Sequence, residues 1–122
     1  MINVRCDKQY KALVFEFEGR ITLADEAPLM AQLKEILPAK CRSFTILTDI
    51  SNVESWEPGI QQAVKRIMDF LNAQGVHKII RVVPDQRKDI GFNIMSIFHY
   101  APEVKVLTVP SREEAFARLG VK

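Results

Sequence analysis

The sequence predicts an α/β fold: one domain over 1–122, with a five-stranded, mixed but mostly parallel sheet in the order β-β-α-β-α-β-α-β-α and helices on both faces. Three observations carry this. Segments of period two alternate with segments of helical period along the chain. Only the first two strand patterns adjoin with no room for a helix between them. The length of 122 residues suits a single continuous core.

Taken in order, Ile2, Val4 and Cys6 alternate, Asp7 to Tyr10 form a turn, and Leu13, Phe15 and Phe17 alternate up to Gly19, an antiparallel hairpin at one sheet edge. Asp25 is placed to cap a helix whose first turn tolerates Pro28 and which Pro38 ends after Leu33 and Leu37. A strand from Phe44 to Asp49 follows and gives way to the polar loop Ser51 to Gly59, which holds Trp56. Ile60, Ala63, Val64, Ile67 and Leu71 recur at helical spacing until Gln74-Gly75 closes the helix.

Lys78 to Val83 is a β-branched strand ended by Pro84-Asp85, and an apolar helix is predicted over about 88–100. Val104 to Val109 is the last strand. Ser111 and Glu114 have capping-box spacing and open a final helix with Phe116 and Leu119 inward and Gly120 as its stop.

Composition sets the class. The chain is 48% apolar and 26% charged, ordinary for a soluble globular domain. No run approaches the roughly 20 apolar residues of a membrane-spanning helix, and the start Met1 to Arg5 is no signal segment. A cytoplasmic protein without stable membrane insertion is expected. Cys6 and Cys41 have neither metal-ligand spacing nor a disulfide framework, and are expected to be packing thiols in a reducing compartment. A net charge of +2, with no aromatic RNA motif or zinc-finger spacing, does not call for a nucleic-acid partner. The basic stretch His77 to Lys88 has an apolar middle and is expected to be a solvated rim. No cofactor or metal is called for.

Several motifs resemble the STAS domains of anti-sigma factor antagonists and sulfate transporter tails. Phe17-Glu-Gly19-Arg-Ile-Thr22 is similar to the family's strand and turn before the first helix. Asp49-Ile-Ser51-Asn-Val53 resembles its Asp-Leu-Ser-x-Val, and Ser111 to Leu119 its closing helix. The resemblance covers essentially the whole chain. In regulatory members of that family a Ser or Thr that opens the second helix accepts phosphate from a partner kinase. Here Trp56-Glu57-Pro58 precedes Gly59, so the resemblance implies the fold without that phosphoacceptor. Ser55 is the nearest hydroxyl. This variation is similar to that of uncharacterised bacterial STAS-like proteins.

Two candidate surfaces emerge. At the carboxyl edge of the parallel strands, where α/β sheets tend to bind ligands, Arg20, Thr22, Asp49, Ser51, Asp85 and Ser111 gather into a candidate polar loop site. Arg81, set among Ile79, Ile80, Val82 and Val83, must be paired or snorkel to the edge, with Asp49 or Asp85 as the expected partner. On the predicted helix 88–100, Phe92, Met95 and His99 lie opposite the stripe Ile90, Ile94, Ile97 and Phe98. A helix apolar on both sides is buried twice or offers one side to a partner. Trp56 is expected to extend this candidate interaction surface.

The leading function is therefore a non-enzymatic interaction module that binds a protein partner or itself as a homodimer. A carrier of a small ligand or lipid, using an apolar groove beside Phe92, comes second. An enzyme ranks last, since neither histidine falls in a recognised catalytic motif.

Overall fold

The computed structural model describes residues 1–37, 45–83 and 105–119. Strand β1 (Ile2–Asp7) turns through Asp7, whose Oδ1 accepts the Gln9 and Tyr10 N–H groups at 3.0 and 3.2 Å, into β2 (Ala12–Ile21). The two pair antiparallel from Ile2↔Phe17 to Asp7↔Ala12. A 3-10 turn at Leu23–Asp25 leads into α1 (Glu26–Ile36). The Asp25 carboxylate reaches back to the Thr22 N–H at 2.8 Å, so it fastens the entry turn and makes no cap bond to α1. Leu37 is extended, as the residue before a proline should be.

Strand β3 (Thr45–Trp56) and α2 (Ile60–Ala73) follow, then β4 (Lys78–Val82), β5 (Lys105–Val109) and α3 (Arg112–Leu119). Helix α2 is flanked by Gly59 at φ 87° and Gly75 at φ 96°, backbone positions that glycine alone adopts without strain. The sheet runs β1-β2-β3-β4-β5, antiparallel at the first pair and parallel thereafter. The predicted helix 88–100 lies outside the described residues.

Because the strand order never reverses, right-handed crossovers deliver α1 and α2 to the same face. Both bury their stripes against Leu13, Phe15, Phe17, Ile46 and Ile79. The other face is closed by the short α3 over Val14, Leu47, Ile80, Val82 and Val109. Helices thus cover both faces, but the second is covered by the terminal helix and not by either described crossover.

Two expectations are corrected. Strand β3 does not end at Asp49; it runs seven residues further, to Trp56, beyond its pairing with β4. Its register against β2 jumps between Glu16 and Glu18 and again between Gly19 and Arg20, each time with one extra residue on β3. Those bulges bring Ile50, Val53 and Trp56, spaced by three, onto the α1/α2 face. Cys6, expected as a packing thiol, is disulfide-bonded. The chain's other cysteine, Cys41, lies outside the described residues. A disulfide-bonded Cys6 does not point to a reducing compartment.

Candidate functional site

The carboxyl edge of β2 and β3 divides into two polar clusters. The first centres on Asp49, whose side chain is 5% exposed. Strand alternation directs it to the α3 face beside Glu16, its register partner on β2. The Ser51 backbone N–H donates to Asp49 Oδ1 at 2.9 Å, and the Ser51 hydroxyl donates to the same oxygen. Asp49 Oδ2 accepts from Arg112 Nε at 2.9 Å and Nη2 at 2.7 Å, while Nη2 also donates to Glu16 Oε2 at 2.9 Å. Arg5 extends the chain of charges from Glu16 to Asp7. Arg112 is held above its ordinary pKa, chiefly by its hydrogen bond to Glu16, with Asp49 adding to the effect against some desolvation.

The second cluster lies further along the same strands. Arg20 Nη1 donates to Ser55 Oγ at 3.3 Å, its register partner on β3. Glu57 Oε2 accepts the Leu23 N–H at 2.5 Å, which ties the turn before α1 to the turn before α2. Leu23 is 45% exposed. Trp56, opposite Ile21, is half-buried with its ring 5.9 Å from Phe17. Its indole Nε1 is buried without a hydrogen-bond partner among the described residues. Helix α2 opens on Gly59, with no side-chain cap.

Of the candidate polar residues, Asp49 and Ser51 are brought together. Arg20 stands four residues beyond Glu16 on β2, roughly 13 Å along the strand, and belongs to the second cluster. Asp85 lies outside the described residues, as do Phe92, Met95 and His99. Ser111 caps α3, accepting the Glu114 N–H at 3.2 Å. Thr22 is held by Asp25. Trp56 is the last residue of a strand, not part of a loop.

Of the two expected partners of Arg81, Asp85 lies outside the described residues, and Asp49 faces away from it. Arg81 is register partner to Thr48, on the α1/α2 face, whereas Asp49 points to the opposite one. Both Thr48 and Arg81 are buried. The residue that does hold Asp49, Arg112, went unread. Its signal was a base in the first turn of a helix, where the macrodipole disfavours positive charge unless an acid faces it.

The order of the described strands has no reversal, so the crevice that such a reversal opens in doubly wound sheets is not part of their arrangement. Among the described residues no group of three or more His, Cys, Asp and Glu side chains converges to hold a metal ion.

No protein-family model matches the chain, and no curated protein does. Solved structures do. An uncharacterised protein of the DUF3478 family with a SpoIIAA-like fold, from Shewanella loihica PV-4, superposes with a TM-score of 0.69 at 12% identity, covering 98% of this chain and 92% of that one. The anti-sigma factor antagonist SpoIIAA in its unphosphorylated form superposes with a TM-score of 0.68 at 14% identity, over 100% of both chains. At such identities the likeness concerns the fold: the chain has a STAS-like fold of the SpoIIAA type.

Proposed function

We propose that this chain is a non-enzymatic protein-interaction module. It docks a protein partner, or a second copy of itself, at the carboxyl edge around Leu23 and Trp56 and through Phe92, Met95 and His99, which sequence spacing groups together. The observation that carries the reading is that the hydrogen bond from the Leu23 N–H to Glu57 holds an exposed Leu23 in the turn next to the half-buried Trp56. Tryptophan is among the commonest anchors of binding energy at protein interfaces, and an exposed aliphatic next to one adds apolar surface for a partner to cover. The Phe92 face rests on helical spacing alone.

Sedimentation over a concentration range, followed by titration with a candidate partner, tests this. Leu23→Asp and Phe92→Asp should each weaken association by roughly 2 kcal/mol or more while circular dichroism stays native. A monomeric wild type removes self-association. Mutants that bind like wild type place the interface elsewhere.

The module works without the serine switch. Glu57 and Pro58 stand before Gly59 where a phosphoacceptor would open α2, and Glu57 is committed to the Leu23 N–H. Ser55, half-buried on β3, is held by Arg20. Incubation with an anti-sigma-type kinase and ATP should leave this segment unmodified in peptide mapping; stoichiometric phosphate on Ser55 would show that the switch has moved by a few residues.

A further inference from the structure

The opposite end of the sheet gathers positive charge that is scattered in the sequence. Lys78 and Lys105 begin β4 and β5 and are direct register partners, in line with Thr45 and Ala12 at the starts of β3 and β2. Strand alternation places both on the α3 face. Lys8 and Lys11 sit in the turn that leads into β2. Helix α1 returns antiparallel to the strands and brings Lys34 to this end in its last turn; α3 brings Arg118, with Phe116 packed 5.6 Å from Tyr10 of the same turn.

Six cations thus share one rim with two described acids, Asp7, which pairs with Arg5, and Glu35 beside Lys34. None of the five lysines makes an ion pair with a described residue. Helix C-termini account for Lys34 and Arg118. They do not account for Lys78 beside Lys105, since like charges on adjacent strands destabilise a sheet. Lys11 to Lys105 spans three strand spacings, about 14 Å, so neighbouring charges lie within a Debye length and their fields add.

We propose that this amino edge docks on the surface of an anionic lipid bilayer. Flexible, strongly hydrated lysine heads along a rim of aligned strand starts suit an extended charged plane, where each contributes while remaining in water. Nucleic acid is a poorer match. Binding single strands uses exposed aromatic faces, and Tyr10, the described aromatic of this turn, packs against Phe116 with the rings tilted by 45°. The attachment is peripheral: no helix among the described residues is long and apolar enough to cross a membrane.

Co-sedimentation of the full chain with phosphatidylcholine vesicles, with and without phosphatidylglycerol, tests the proposal. Wild type should bind the anionic vesicles, ignore the neutral ones and be released by salt. Neutralising each lysine should lower the partition coefficient about fivefold, so Lys78→Gln with Lys105→Gln should lower it about 25-fold. Lys65→Gln, on the outer face of α2, should change nothing. Lys8→Gln with Lys11→Gln repeats the test at exposed turn residues if the first double variant fails to fold. Failure to bind anionic vesicles, loss with Lys65→Gln equal to that with the rim variants, or tighter binding to an oligonucleotide than to the vesicles would overturn it.

Discussion

Arg112 occupies a position where a helix prefers an acid, and its environment explains why a base is kept. The Asp49 carboxylate is nearly buried between β2 and α3, and a buried charge must be paired or it shifts to its neutral form. Ser51 supplies two donors to one oxygen; Arg112 supplies two to the other. Removing a partner from such a group costs about 3–5 kcal/mol when both ions are buried. Arg112 is 41% exposed, so water replaces part of what is lost, and Arg112→Ala should destabilise the chain by about 2 kcal/mol. Chemical denaturation checks the figure. Asp49→Asn in the Arg112→Ala background should then cost little, because the two changes remove one shared interaction; additive losses would show that the pair is not coupled.

The elements that were easy to read are those that keep one period. Helix α2 holds its apolar stripe from Ile60 to Leu71, β1 alternates through Ile2, Val4 and Cys6, and β4 is a short β-branched run buried on both faces. The second half of β3 hid because its inward residues, Ile50, Val53 and Trp56, recur every three positions, a spacing produced by bulges against β2 and belonging to neither regular period. Polar Ser51, Asn52, Glu54 and Ser55 between them read as loop. Nor does sequence spacing reveal which helices meet. Glu26 of α1 and Arg66 of α2, forty residues apart, form a bidentate pair with both bonds at 2.6 Å. Arg66 holds the Glu26 carboxyl below the ordinary carboxylate range, first through that hydrogen bond. A depressed folded-state pKa stabilises above the unfolded value and is lost as pH falls through the folded one. The melting temperature of wild type should therefore exceed that of Glu26→Gln by a constant margin at neutral pH, and the margin should close in acid below the usual glutamate range. A gap that persists there would mean that Glu26 acts through packing.

At the scale of the whole molecule, the fold class was legible because its signals are summed over many residues, while the candidate site was legible only in pieces. Asp49 and Ser51 stand two apart in sequence and share hydrogen bonds at one carboxylate oxygen; Arg112 and Glu16 join them through a topology that no local pattern encodes. The same topology makes the two faces of the sheet unequal. Among the described residues, sixteen buried ones form the cluster under α1 and α2, and six form the one under α3. Helix α3 is eight residues long, with Ala115 its one fully buried side chain. Helices that short do not hold themselves together in water, so α3 depends on its contacts with the sheet and on Arg112. Local stability follows buried apolar contact. The amides of α3 should exchange with solvent through a local opening that leaves α2 and the centre of the sheet protected. Arg112→Ala should raise exchange in α3 by about 30-fold, the equivalent of the 2 kcal/mol above. The slowest amides of α2, which report global unfolding, should accelerate by no more than the same factor. Hydrogen exchange read by mass spectrometry decides it: if α3 and α2 exchange at the same rate in wild type, the molecule opens as one unit and the Arg112 pair does not hold a separable helix.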